Sequence, residues 1–313
     1  MERNAPQGIT VTGVSRSFGS VHAVLDATLT VPPGSVTALI GPNGAGKTTL
    51  LLMLASLLAP DAGSITIAGH DPVTDPHMVR AAMGWMPDVL GSWPSLSVRA
   101  SLEVTGRMYR MSRPVAAARA NELIDLTGLE ALADRPSRVL SRGQKQRLSL
   151  ARALVHSPSV LLLDEPASGL DPAARVALRV LVRRLAGEGT AILVSSHVLA
   201  ELDEMADAAV YLADGVTASA ERIAEAGASA RSWRIRSLDP HSLEDALRAS
   251  GVAAQSDHLG TLVQVAGEAD AARLLEALVT AGVRVSAFGP AVGDLEHTFL
   301  DLSRPALQGG ASA

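Results

Sequence analysis

Apolar positions along the chain recur with two periods, and the switches between them mark out its elements. Ile9–Phe18 and Ala27–Val31 alternate apolar and polar residues, as half-buried strands do, and Pro32-Pro33-Gly34 turns the chain after the second. Val36–Ile40 is a short unbroken apolar run; beyond Lys47, Leu50, Leu51, Leu54, Leu57 and Leu58 follow helical spacing. Gly63–Ala68 predicts one more strand. From Ser97 to Ala133 the pattern is helical, with Ser97 as N-cap and Gly106 and Gly128 as breaks, which reads as a helical insertion. A further amphipathic helix opens at Ser141 within Val139–Val155. Val160–Pro166 and Thr190–Ser195 are continuous apolar runs of the kind that form parallel strands buried on both faces. Pro172 stands in the first turn of the helix between them. The expected fold is therefore α/β, with antiparallel β pieces and a helical subdomain attached.

Past Gly215 the chain continues through Ile223, and the small residues Ala224–Ala230 read as a linker. Then come strand Ser232–Leu238, helix Pro240–Ser250, strands Val252–Ser256 and Thr261–Ala266, helix Ala269–Ala281 and strand Val283–Phe288. That βαββαβ order is the ferredoxin-like arrangement, an α+β fold. Asp239 before Pro240 and Gly251 after the first helix are start and stop signals. A last helix spans Gly293–Leu302, and Leu307–Ala313 reads as disordered. The expected organisation is a large domain over residues 1–223, a linker over 224–230, a small domain over 231–306 and a tail over 307–313.

Chemistry concentrates where the periods switch. Between Ile40 and the first helix lies G-x-x-x-x-G-K-T: Gly41, Pro42, Asn43, Gly44, Ala45, Gly46, Lys47 and Thr48, followed by Thr49. A strand feeding a helix through glycines lets consecutive backbone N–H groups converge on an anion that the helix dipole also favours. Lys47 supplies a compact charge for terminal phosphates, and the Thr48 hydroxyl is a Mg²⁺ ligand in this pattern. The chain is expected to bind a nucleoside triphosphate. The strand Val160–Pro166 ends in two acids. Asp164 is suited to holding Mg²⁺ and Glu165 to accepting a proton from an attacking water. Ser141 and Gly143 begin a helix, a second potential anion site. Phe18, beside Gly19, is a candidate to stack on an adenine.

Composition trims the alternatives. At 313 residues and 47% hydrophobic, the chain is long enough for one large domain and a small one. A net charge of −5 gives no electrostatic reason to expect nucleic acid as a partner. With no cysteine, disulfides and thiolate metal sites are excluded. Lys47 and Lys145 are the only lysines, so a chain that otherwise uses arginine has kept lysine at the phosphate position. MERNAPQG lacks the apolar core of a signal peptide. Leu50–Ala59, the longest apolar run, falls short of the roughly 20 residues of a spanning helix. A soluble chain is expected, whose membrane role would come through a partner.

Taken together, GPNGAGKTT, LSRGQ, LLLDEP, SGLD and SSH occur in one order over roughly Ile9 to Ile223. In that set the chain resembles the ATP-binding subunit of an ABC transporter, a P-loop NTPase. The resemblance implies two copies paired head to tail, with ATP and Mg²⁺ between the Lys47 loop of one and Ser141, Arg142, Gly143 and Gln144 of the other. It implies that Glu165 activates water, that His197 contacts the γ-phosphate and that Asp171 communicates across the dimer. Phe18 matches the adenine-stacking aromatic. Asp88, in GWMPDVLG, falls where the family carries a glutamine; its shorter carboxylate can sit near Mg²⁺ beside Thr48 and Asp164. Arg142 replaces a glycine, and a cation at a helix N-terminus is unfavourable by roughly 0.3–1 kcal/mol unless a triphosphate faces it. The C-terminal region resembles the small domain on many ATPases of ABC-2 type exporters, including drug and antibiotic efflux systems. The implied function is to energise export through a separate integral membrane permease from the cytoplasmic face of the membrane. A soluble ABC ATPase acting on nucleic acid, the ribosome or cofactor assembly is the rival; neither a second ATPase half, a long coiled coil nor a basic stripe is present to support it. An importer subunit is disfavoured by the tail.

Overall fold

The computed structural model describes residues 7–91, 93–196 and 198–303. His197 and the tail 307–313 lie outside the described residues. The chain divides into two compact units between Thr217 and Ala218.

In the first unit the elements run β1 (Ile9–Phe18), β2 (Val21–Val31), β3 (Val36–Ile40), α1 (Lys47–Leu54), β4 (Ala62–Ile67), α2 (Pro76–Ala82), β5 (Met83–Met86), α3 (Val98–Met108), α4 (Arg113–Leu126) and α5 (Arg142–Ala153). They continue with β6 (Val160–Asp164), α6 (Pro172–Gly187), β7 (Ala191–Ser195), α7 (Leu199–Asp203), β8 (Ala208–Ala213) and β9 (Val216–Thr217). Among the described residues the strands form one nine-stranded sheet ordered β4-β1-β2-β9-β8-β3-β7-β6-β5. Its β8-β3-β7-β6-β5 part is parallel, and β3, β6 and β7 are buried at every position. Burial on both faces is why these strands read as unbroken apolar runs. At the other edge β1 pairs antiparallel with β2 and β4, giving the expected antiparallel piece. Register does the positioning. Leu39 and Asp164 both pair with Ser195, so the carboxyl ends of β3, β6 and β7 finish level with one another. Ligands of open α/β sheets bind beyond such ends.

Ser97 caps α3 as expected, its side chain accepting from the Ala100 N–H at 3.1 Å. Gly128 breaks the chain after α4, but Gly106 does not: it lies inside α3. A Cβ there would come within 3.1 Å of the Ala116 methyl, so this glycine lets α3 and α4 approach closely instead of ending a helix.

The second unit begins with a helix where composition predicts a linker. Residues 224–230 are not a linker: α8 (Ala220–Ala228) runs through most of them. Ser219 caps it by accepting from the Arg222 N–H, and alanine and glutamate in AERIAEAGA are good helix formers. Then follow β10 (Arg231–Ser237), α9 (Pro240–Ala249), β11 (Ala254–Asp257), β12 (Gly260–Val265), α10 (Glu268–Thr280), β13 (Val285–Pro290) and α11 (Asp294–Ser303). The strands pair antiparallel in the order β11-β12-β10-β13, the ferredoxin-like sheet. Trp233, Ile235, Val263 and Val265 of that sheet and Leu243, Leu247 and Leu278 of its two helices make the core. The last helix, α11, packs on α8, an element that small-residue composition had disguised.

Candidate functional site

The turn from β3 into α1 ends on Gly46, which has φ +102°. A side chain there would meet the Ala23 carbonyl oxygen at 2.3 Å, so the loop is closed to any residue but glycine. No side chain caps α1, which leaves its first-turn N–H groups available to an anion. The Lys47 ammonium is folded over the loop, donating to the carbonyls of Gly41 at 2.6 Å and Pro42 at 3.1 Å. Burial holds its pKa below the ordinary lysine value, while the nearby Glu165 and Asp164 carboxylates pull it back up.

Asp164 is buried at the end of β6 and accepts a 2.6 Å hydrogen bond from the Ser195 hydroxyl of β7. The same hydroxyl accepts from the Glu165 N–H at 3.3 Å, and the Ser195 carbonyl accepts from it at 3.1 Å. Glu165 itself sits at φ +51°, a left-handed conformation that a non-glycine residue adopts only when its surroundings impose it. Its carbonyl accepts from Gln146 Nε2 of α5 at 2.8 Å. Ser195 opens the SSH motif but has no role of its own in the sequence reading, and Gln146 is not marked there at all, since each acts through a partner at least nineteen positions away.

A cleft of about 640 Å³ joins these parts. Asn43, Gly44, Gly46, Lys47, Thr48, Thr49, Asp88, Asp164 and Glu165 line it, together with Val21, His22 and Trp85. Asp88 therefore faces the same space as the phosphate loop. Phe18 does not line the cleft, although its cross-strand partner Val21 does. It is no core aromatic: the residue is 49% exposed, and its ring lies 5.0 Å beneath the Arg16 guanidinium. Gly41, Pro42 and Ala45 belong to the loop but not to the cleft lining. Ser141, Arg142, Gly143, Gln144 and Asp171 also lie off the cleft of their own chain. Ser141 caps α5 and Asp171 caps α6.

The family model described as ABC transporter matches residues 24–168. The chain is 40% identical over 203 residues to the daunorubicin resistance ATP-binding protein DrrA3 of Streptomyces coeruleorubidus, covering 65% of this chain and 64% of that one. It is 37% identical over 239 residues to the Nod factor export ATP-binding protein I of Burkholderia lata, covering 75% of this chain and 79% of that protein. The chain belongs to the ATP-binding proteins of ABC transporters. A solved ABC cassette, a dimer in a post-hydrolysis state bound to ADP and Pi, superposes with a TM-score of 0.63 at 25% identity, over 67% of this chain and 97% of that one.

As an ABC ATPase, the chain binds and hydrolyses ATP, and the cleft is where its phosphate-loop and acidic residues meet. Among the described residues no three His, Asp or Glu side chains converge to cage a metal. Mg²⁺ needs no such cage, because it arrives with phosphates and retains water, so one or two oxygen donors suffice. Thr48 and Asp164 supply hard oxygen donors on one cleft, which fits such an ion. No helix among the described residues is long and apolar enough to cross a membrane.

Proposed function

We propose that two copies of this chain close on ATP and that its hydrolysis drives export through a separate ABC-2 type membrane permease. The observation that carries the reading is the cleft onto which Lys47 and Thr48 of α1 converge with Asp164 and Glu165 at the end of β6. The triphosphate would lie along the loop of residues 41–49, its charge met by the α1 amides and the Lys47 ammonium. Phe18 stacks on the base in this reading. Mg²⁺ would be held by Thr48 and Asp164, with Asp88 beside them, and would supply charge neutralisation on the phosphates. Glu165 accepts the proton of the attacking water as its oxygen bonds to the γ-phosphorus and the bond to the leaving ADP breaks. Ser195 keeps the Asp164 carboxylate oriented. His197 contacts the γ-phosphate, and Ser141, Gly143, Gln144 and Asp171 of the second copy complete the site.

The permease side of the proposal rests on a groove of about 380 Å³ between the sheet edge and the helical subdomain. Leu57, Trp85, Trp93, Met108 and Tyr109 line it, and Met108 is 69% exposed. Its wall includes Trp85, Pro87 and Val89, which also line the nucleotide cleft on either side of Asp88. A permease segment seated in the groove would therefore press on the segment that carries Asp88. The exported substrate belongs to the drug, antibiotic, lipid or polysaccharide class in this reading, of which the drug class fits the daunorubicin resistance named for one relative, and the chain works at the cytoplasmic face of the membrane. Glu165→Gln tests the chemistry: ATP binding is retained and turnover falls by about a thousandfold, the size typical of losing an activating base. Normal turnover in that variant would refute the assignment, and failure to co-purify with any polytopic membrane protein would favour the soluble rival.

A further inference from the structure

Arg142, the residue that departs from the family's glycine, has a partner in its own chain. Its Nη2 donates to the Ser168 hydroxyl at 2.8 Å. Ser168 in turn donates its backbone N–H to the Glu165 carbonyl at 3.1 Å, the same oxygen that accepts from Gln146. Arg142 and Gln146 are four residues apart and so project from one side of α5. The helix thus holds the turn after β6 at two places. The fit between them is close. Gly169 has φ +75°, and a Cβ there would come within 2.8 Å of the Arg142 side chain. A Cβ on Gly143 would lie 3.1 Å from the Gly169 carbonyl oxygen.

We propose that Arg142 is a positioning residue for Glu165 of its own chain. Through the Ser168 hydroxyl it keeps the turn of residues 165–169 seated on α5, and the left-handed Glu165 keeps the orientation that water activation requires. This rests on the reading of Glu165 as the base. It differs from a role for Arg142 as phosphate ligand across the dimer, because a positioning residue acts on the rate of chemistry and a ligand acts on nucleotide capture. It also gives α5 a mechanical part: a push on its first turn reaches Glu165 through two hydrogen-bonded struts.

A double-mutant cycle with Ser168 separates these roles. Arg142→Ala and Ser168→Ala should each lower kcat about five- to tenfold with KM for ATP little changed, as expected for one charge-assisted hydrogen bond acting through a neighbour. The double variant should be no slower than either single one, and Arg142→Lys should recover part of the rate. In a Glu165→Gln background, Arg142→Ala should leave ATP-driven dimer formation unchanged, measured by light scattering. Additive losses, a raised KM, dimers lost in the Glu165→Gln background, or an unchanged kcat would each overturn the inference. Should Arg142→Ala fail to fold, Ser168→Ala removes only a hydroxyl and decides the matter: an unchanged kcat there is equally fatal. A Glu165→Gln protein with normal turnover would bring down the base assignment and this inference together. An impaired Glu165→Gln protein beside an unaffected Arg142→Ala would bring down only the inference.

Discussion

Two helices of this protein carry glycine at or next to their N-termini, Gly46 at α1 and Gly143 at α5, and they begin differently. α1 starts on Gly46 with no side chain over its amides, and its cation is a half-buried lysine held over the loop by its own carbonyls. α5 starts on Ser141 with a complete capping box. Ser141 Oγ accepts from the Gln144 N–H at 3.3 Å, and Gln144 Oε1 accepts from the Ser141 N–H at 2.8 Å. Its cation, Arg142, is turned away to Ser168. Similar sequence signals therefore end in an open anion cradle at one helix and, within the single chain, a capped terminus at the other. An uncapped helix start offers its first-turn donors to a ligand at once; at a boxed one the capping residues must first release each other before they can meet the nucleotide of a second copy.

The contrast can be broken hardest at Gly46. In Gly46→Ala the new methyl overlaps the Ala23 carbonyl, and a left-handed backbone adds roughly 1–2 kcal/mol. ATP affinity should fall by about a hundredfold or more, read by equilibrium binding of a fluorescent nucleotide; near-normal affinity would show that the loop tolerates a side chain. The next effect is on pH. Because burial lowers the Lys47 pKa, its ammonium is lost at a pH below the ordinary value of 10.5. Only the charged form attracts phosphate, so affinity should hold at neutral pH and weaken as pH rises, by up to about tenfold per unit. Lys47→Arg should bind more weakly but with a flat profile over the same range, since guanidinium does not titrate there. The smallest change is expected at the capped terminus. Ser141→Ala should cost about 1 kcal/mol of stability, seen as a lower urea midpoint, while nucleotide binding by the isolated monomer is unaltered. A loss of monomer binding there would erase the distinction between the two helices.

Much of this architecture could be read before the fold was known. The strand-to-helix switch at Val36–Lys47, the acid pair at Asp164 and Glu165, the Ser97 cap and the βαββαβ order each depend on residues close together in the chain. Turn chemistry and periodicity act over that same short range. Composition misleads where small residues leave it ambiguous. Ala224–Ala230 resembled a linker because alanine and glycine carry no apolar stripe, yet α8 forms and packs on α11. Gly106 resembled a break, but a neighbouring helix needs the space that its missing side chain provides.

The sequence alone determined that a phosphate loop precedes a helix, that two acids end a buried strand and that a second small fold follows. Tertiary structure decided which of those pieces meet: Ser195 beside Asp164, Asp88 in the cleft wall, Arg142 on Ser168. Local geometry is dictated by a residue and its near neighbours. Partnership depends on strand order and register, which arise only when distant segments pack, and no short stretch of chain contains that information.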